Sequence, residues 1–147
     1  DRRADPARRS AARLATRRIT PQEREALSVI QRASDAALAA GDDEEFGRQG
    51  VRFHVTLWRA THNDVLFETT RNLAIRLNPF RMFQLRSDGR QVANNEDHKT
   101  LLTLIDAGKA DEAYTFMRGH VTVQGDVLAE YISVAPRPVL QTQAEYA

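Results

Sequence analysis

The stretch "QGVRFHVTLWRATHN" (residues 49–63) predicts an amphipathic helix that carries a histidine on its apolar face. Val51, His54 and Trp58 follow the i, i+3, i+7 spacing that places side chains on one face of a helix. Gly50, one turn before His54, lies on the same face, although a glycine in mid-helix costs about 1 kcal/mol relative to alanine. The stretch therefore raises two questions: what a buried histidine does there, and what is missing at position 50.

Helical patterns continue on both sides of this stretch. Thr20, Pro21 and Glu23 are typical of a helix start with a capping box, and Gly41 is typical of a helix end. Pro79 is expected to kink the helix in which it lies. The predicted helices cover residues 5–18, 21–40, 42–63, 64–85, 91–107 and 111–133. We predict an all-α fold, an antiparallel bundle of about six helices in one domain, 1–147, with a loose tail at 134–147.

The composition of the chain excludes several classes of protein. The 147 residues include no cysteine, so disulfides and thiolate metal sites are excluded, and a transition metal would need His, Asp or Glu. No apolar run approaches 18 residues, which predicts a cytoplasmic protein without a membrane span. The first 18 residues carry seven arginines against two aspartates. Such a helix can contact nucleic acid, but without a base-reading motif we interpret it as a solvated face.

Three of the four histidines are predicted to face the core. His54, His98 and His120 each fall on the apolar stripe of a different helix, whereas His62 stands at a helix end and is expected to be exposed. Imidazole is a common metal ligand, and facing helices of a bundle can bring ligands together. The pattern leaves two interpretations open: a shared metal site, or separate core histidines that are satisfied by hydrogen bonds.

Two other polar residues are candidates for the same site. The predicted inner stripe of the fourth helix consists of Leu66, Leu73, Leu77 and Phe80. Arg76 lies between Leu73 and Phe80, where it would suit the capture of a carboxylate, although it could equally reach solvent at the rim. Asn94, one turn before His98, could supply a neutral oxygen ligand.

Three segments of the chain resemble a known family. "AARLATRR-ITPQE" (11–23), "RFHVTLWRATHN" (52–63) and "EDHKTLLTLIDAGKADEAYTFMRGHV" (96–121) are similar to the FadR-C or FCD class, the effector-binding C-terminal domain of GntR-type bacterial transcription regulators. The resemblance covers nearly the whole chain. It implies a bundle of six or seven helices that forms a homodimer, preceded by a winged helix-turn-helix that binds operator DNA and is absent from this chain.

The resemblance also implies a metal centre. Many members of the family bind a divalent metal, often zinc or nickel, through one aspartate and three histidines, and the metal helps to bind a small carboxylate effector. The three histidines correspond to His54, His98 and His120, and the aspartate corresponds to Gly50. Without the aspartate, either an anionic effector completes the coordination of a more weakly bound metal, or the metal is lost and the histidines serve as hydrogen-bond donors.

The sequence thus predicts a sensor and dimerisation domain that is not an enzyme, with Gly50, Arg76 and Asn94 near the effector. Two alternatives stay open. Three histidines with open metal positions could activate water in a metal-dependent enzyme, although only Glu96 and Asp97 stand near them as possible general bases and no phosphate loop or nucleophile elbow is present. The domain could also be a dimerisation module without a ligand.

Overall fold

The computed structural model describes residues 4–121, which form six α-helices and, within that range, no strand. The helices are α1 (Ala4–Arg18), α2 (Pro21–Ala40), α3 (Asp43–Arg59), α4 (Asp64–Gln84), α5 (Arg90–Asp106) and α6 (Ala110–Val121). The predicted all-α bundle is therefore confirmed. The predicted continuation of the last helix to residue 133 and the loose tail at 134–147 lie outside the described residues. No helix within 4–121 is both long and apolar enough to cross a membrane.

The ends of α2 follow from local sequence. The Thr20 hydroxyl accepts the Glu23 backbone N–H at 3.2 Å, and the Glu23 carboxylate accepts the Thr20 backbone N–H at 2.9 Å. Gly41 ends the helix with a φ of 68°, which glycine adopts without steric cost. The Asp42 side chain then caps α3 by accepting the Glu45 backbone N–H at 2.9 Å. Each N-cap contributes about 1 kcal/mol. Gly41 and Asp42 together place the α2–α3 turn where the sequence predicts it.

The core is built between α1, α2, α3, α5 and α6. Helix α1 packs along α6, and α2 packs along α3. Ala12 and Ala15 are fully buried on α1, and these small side chains allow close approach to its neighbours. The largest cluster of buried apolar side chains includes Leu27, Phe53, Leu57, Leu101, Ile105 and Met117. Helix α3 contacts α1, α2 and α4, and α1 contacts α3, α4, α5 and α6.

A polar network fixes α5 against α2. The Gln31 amide donates to the Asn95 side-chain oxygen at 2.8 Å, and the Asn95 amide donates to the Asp35 carboxylate at 2.6 Å. Lys99 completes the network with an ion pair to Asp35 at 3.1 Å. Because Gln31 and Asn95 are buried, these bonds set the rotation of α5 about its axis. That rotation turns His98 toward the core.

The predicted inner stripe of α4 is wrong in part. Leu66, Leu73 and Leu77 are only half-buried, although Phe80 is buried as expected. The buried positions of α4 are Thr70, Ala74, Asn78, Phe80 and Gln84. Most of the buried side chains of α4 are small or polar. The hydrophobic periodicity of the sequence therefore predicts the wrong face of this helix as the buried one. The helix runs through Pro79 without ending there.

Candidate metal centre

The three predicted histidines come together in the core. His54 of α3, His98 of α5 and His120 of α6 are all buried, with exposed fractions of 8, 1 and 9%. The Nε2 atom of His54 lies 3.2 Å from Nε2 of His98 and 3.3 Å from Nε2 of His120. Together they form a cluster of three possible metal ligands.

Neighbouring side chains hold each imidazole in its orientation. The Phe53 ring stacks on His98 with centroids 4.2 Å apart and planes at 5°. The Trp58 ring stacks on His54 at 5.7 Å and 24°. The Nδ1 atom of His120 lies 3.1 Å from a carboxylate oxygen of Asp97. When Nδ1–H of His120 donates to that carboxylate, the Nε2 lone pair of His120 points toward the cluster. Carboxylates orient metal-binding histidines in this way in many metal sites.

The surroundings keep all three imidazoles neutral at pH 7. Burial lowers the pKa of His54 and of His98 well below its ordinary value, and the neighbouring imidazoles and the charge of Arg81 lower it further. Burial also lowers the pKa of His120, although the Asp97 carboxylate acts in the opposite direction. Neutral imidazoles carry the free lone pairs that a metal requires.

The geometry of the donor set fits a divalent transition metal. Ligand nitrogens about 2.0–2.1 Å from a tetrahedral metal lie about 3.3 Å from one another. The separations of 3.2 and 3.3 Å from His54 to the other two histidines match this value. Three neutral nitrogen donors suit zinc or nickel and leave a position for a further ligand. The donor set therefore fits the group that the sequence predicts, but it supplies no negative charge.

Position 50 faces a cation. A Cβ atom at Gly50 would lie 2.5 Å from Nη2 and 3.6 Å from Cζ of Arg81. Real Cβ atoms essentially never approach a heavy atom so closely, so any side chain at position 50 would force the guanidinium to move. The guanidinium of Arg81, on α4, thus occupies the space next to Gly50 that a side chain at position 50 would fill.

A cavity of about 50 Å³ adjoins the histidines. This volume exceeds the roughly 10–15 Å³ that a cavity needs to hold one water, so a small ligand can enter it. Nε2 of Gln84 and Oδ1 of Asn94 are buried at its wall and have no hydrogen-bond partner among residues 4–121. The polar residues that line the cavity are Arg8, Arg81, Arg90, Gln84, Asn94, His54 and His120. It can therefore accept a small polar ligand and is rich in positive charge.

The structure places the other predicted site residues differently. Asn94 lies at the cavity wall, and its part as a neutral oxygen ligand stays a prediction. Arg76 is exposed and does not line the cavity, because it lies outside the buried face of α4. Arg81, five residues later, is the arginine of α4 that lines the cavity. His62 is exposed as predicted and lies 3.2 Å from a Glu23 carboxylate oxygen.

Sequence reasoning did not find Arg8, Arg81 or the role of Asp97. No apolar stripe indicates Arg81, because the buried face of α4 is mostly small or polar. Arg8 was assigned to a solvated face of α1, and nothing local distinguishes it from its neighbours. Asp97 is adjacent to His98 in the chain, but it contacts His120 on another helix.

Comparison with known proteins supports this description. The model of the FCD domain family matches residues 9–123, which include all three histidines, Gly50 and Arg81. A search of curated proteins found no significant match. FCD domains occur in regulatory proteins of the GntR family. Since the match covers most of the 147 residues, the chain belongs to the FCD domain family.

Proposed function

We propose that this chain is the effector-binding and dimerisation domain of a GntR-type transcription regulator, and that its effector is a small carboxylate. The observation that carries the proposal is the convergence of three buried histidines from three helices beside a cavity rich in arginine. Membership of the FCD family supports a regulatory role rather than catalysis. The cavity volume of about 50 Å³ favours an acid with few carbon atoms.

His54, His98 and His120 would hold a divalent metal, zinc or nickel. When bound, the metal would supply a Lewis-acid position for an oxygen of the effector. The residues of the chain have separate parts in this site. The three imidazoles are kept neutral by burial, Asp97 orients His120, and the arginines at the cavity attract an anion by charge.

Regulation would follow from the fact that the donors lie on different helices. A ligand that binds one arrangement of α3, α5 and α6 more tightly than another shifts the populations of the two arrangements. In a homodimer this shift would alter the spacing of two DNA-binding heads of the full regulator. A coupling free energy of about 1–3 kcal/mol would change operator affinity by about 5- to 150-fold.

Metal analysis and titration test this proposal. Elemental analysis of the purified chain, paired with native mass spectrometry, should detect a retained metal or small acid. After metal removal, calorimetric titration with zinc or nickel should give one site per chain, and His98→Ala should abolish it. His62→Ala is the matched control, because His62 is exposed and lies outside the cluster. Equal binding by the two variants would contradict the proposed site, and turnover of a substrate would contradict the regulatory assignment.

A further inference from the structure

Helices α3 and α4 interlock beside the histidines. Two glycines one turn apart on α3 face two successive long side chains of α4. A Cβ at Gly47 would lie 3.0 Å from the terminal methyl carbon of Met82, and a Cβ at Gly50 would lie 2.5 Å from Nη2 of Arg81. Gly47 thus makes room for an apolar end group, whereas Gly50 makes room for a guanidinium. The second arrangement places a positive charge against the backbone of α3.

This charge acts on the site. Arg81 is half-buried, and it lines both the cavity of about 50 Å³ and a smaller one of about 20 Å³ beside Val51 and Trp58. Arg8 of α1 lines the same two cavities, and so does His54. Two guanidinium groups therefore line both cavities beside His54, and their positive charge favours a bound anion.

The buried amide of Gln84 points to the same kind of ligand. Gln84 is 9% exposed and lines the larger cavity, and its Nε2 donor has no hydrogen-bond partner among the described residues. A buried donor without an acceptor costs about 1–3 kcal/mol, so this group indicates an acceptor that completes it. Oδ1 of Asn94 at the same wall also has no partner there, but it is an acceptor and requires a donor. A carboxylate oxygen would accept from both the Gln84 amide and the guanidinium.

We propose that Arg81, in the space that Gly50 leaves open, is the carboxylate-binding residue of this site, so that the domain binds small organic anions without a divalent metal. This inference rests on the proposed function only for the class of effector. The guanidinium of Arg81 supplies the positive charge that binds the anion, and the buried amide of Gln84 adds a second donor.

Metal-free protein and a pair of matched glycine variants test the inference. The chain is stripped with chelator, checked by elemental analysis, and titrated with acetate, malonate and citrate, with acetamide as the neutral control. Thermal unfolding and calorimetry measure binding. The wild type should be stabilised in proportion to mass action by at least one of the three acids and not by acetamide.

Gly50→Ala retains every charge and displaces only the guanidinium, so it should weaken binding of that acid by about tenfold or more, as expected for the loss of a charged hydrogen bond. Gly47→Ala is the same substitution one turn earlier and should leave the affinity unchanged, because it meets Met82. Arg81→Met should abolish binding, and Arg76→Met on the exposed face of α4 should not. If Arg81→Met does not fold, the comparison of Gly50→Ala with Gly47→Ala still tests whether the guanidinium binds the acid.

The outcomes separate the two proposals. Stabilisation by carboxylates only after metal is restored overturns this inference and leaves the proposed function intact. Equal weakening by Gly50→Ala and Gly47→Ala also overturns it, because it would reflect the packing of α3 rather than the guanidinium. If none of the three acids binds with or without metal, both proposals fail.

Discussion

Helices α3 and α4 lie against each other at the site, but their sequences relate to their burial in opposite ways. On α3, apolar residues mark the buried face, and His54 stands among them. On α4, the buried face is mostly small or polar, and the larger leucines are half-buried. On α3 the apolar stripe of the sequence therefore identifies the buried histidine. On α4 hydrophobicity does not follow burial, so the sequence pattern does not identify Arg81.

The largest expected effect tests the difference in burial. Leu57 of α3 is fully buried, whereas Leu73 of α4 is half-buried. Leu57→Ala should lower the free energy of unfolding by about 2–5 kcal/mol through lost burial and a residual cavity. Leu73→Ala should cost clearly less. Denaturant unfolding of the two variants measures this, and equal losses would show that α4 is as tightly packed as α3.

A second prediction concerns the orientation of His120. Asp97→Asn removes the carboxylate that accepts from Nδ1, so nickel affinity should fall by about 10- to 100-fold. The control is Glu96→Gln, because Glu96 is exposed and pairs with Lys99. Calorimetric titration of both variants compares them. An unchanged affinity in Asp97→Asn would mean that packing alone orients the ring.

The sequence predicts those parts of the fold and site that depend on neighbouring residues or on an apolar stripe. The caps of α2 depend on residues within four positions, and the three histidines lie on stripes that remain apolar, so both could be found from the sequence. Asp97 could not, because its partner His120 is 23 residues away on another helix. Arg81 was missed because Arg76 lies between apolar residues that turned out not to mark the buried face of α4.

A third prediction concerns acid. The pKa of each clustered histidine is lower in the folded chain than in the unfolded chain, so the unfolded state binds more protons as the pH falls. Stability of the metal-free protein should therefore be full above about pH 6.5, the ordinary value for histidine, and decrease below it. The slope is at most about 1.4 kcal/mol per pH unit for each histidine.

His98→Asn should remove one part of this dependence, and His62→Asn should leave it intact, because His62 is exposed. Denaturant unfolding measures how the free energy of unfolding changes with pH. A range of roughly pH 7.5 to 5.5 spans the ordinary histidine pKa. Identical slopes for the wild type and His98→Asn would show that the cluster does not control acid sensitivity.

The smallest expected effect concerns the contact between the two helices. An aspartate at position 50 would meet the guanidinium of Arg81, which lies at the end of a flexible side chain and can adjust to form an ion pair. Gly50→Asp should raise the free energy of unfolding by about 0.5–1 kcal/mol, from helix propensity and a partly buried ion pair. Gly50→Asp combined with Arg81→Met is the control for the pair. A loss of stability in the single variant would show that the guanidinium cannot adjust.

The order of the histidines along the chain has a consequence for the way the site forms during synthesis. His98 follows His54 by 44 residues, and His120 follows it by 66. A growing chain that has not reached α6 therefore has two of the three donors and no Asp97–His120 contact. The complete cluster is a product of the folded tertiary structure rather than of any local segment, so a nascent or truncated chain that ends before residue 120 lacks the third imidazole.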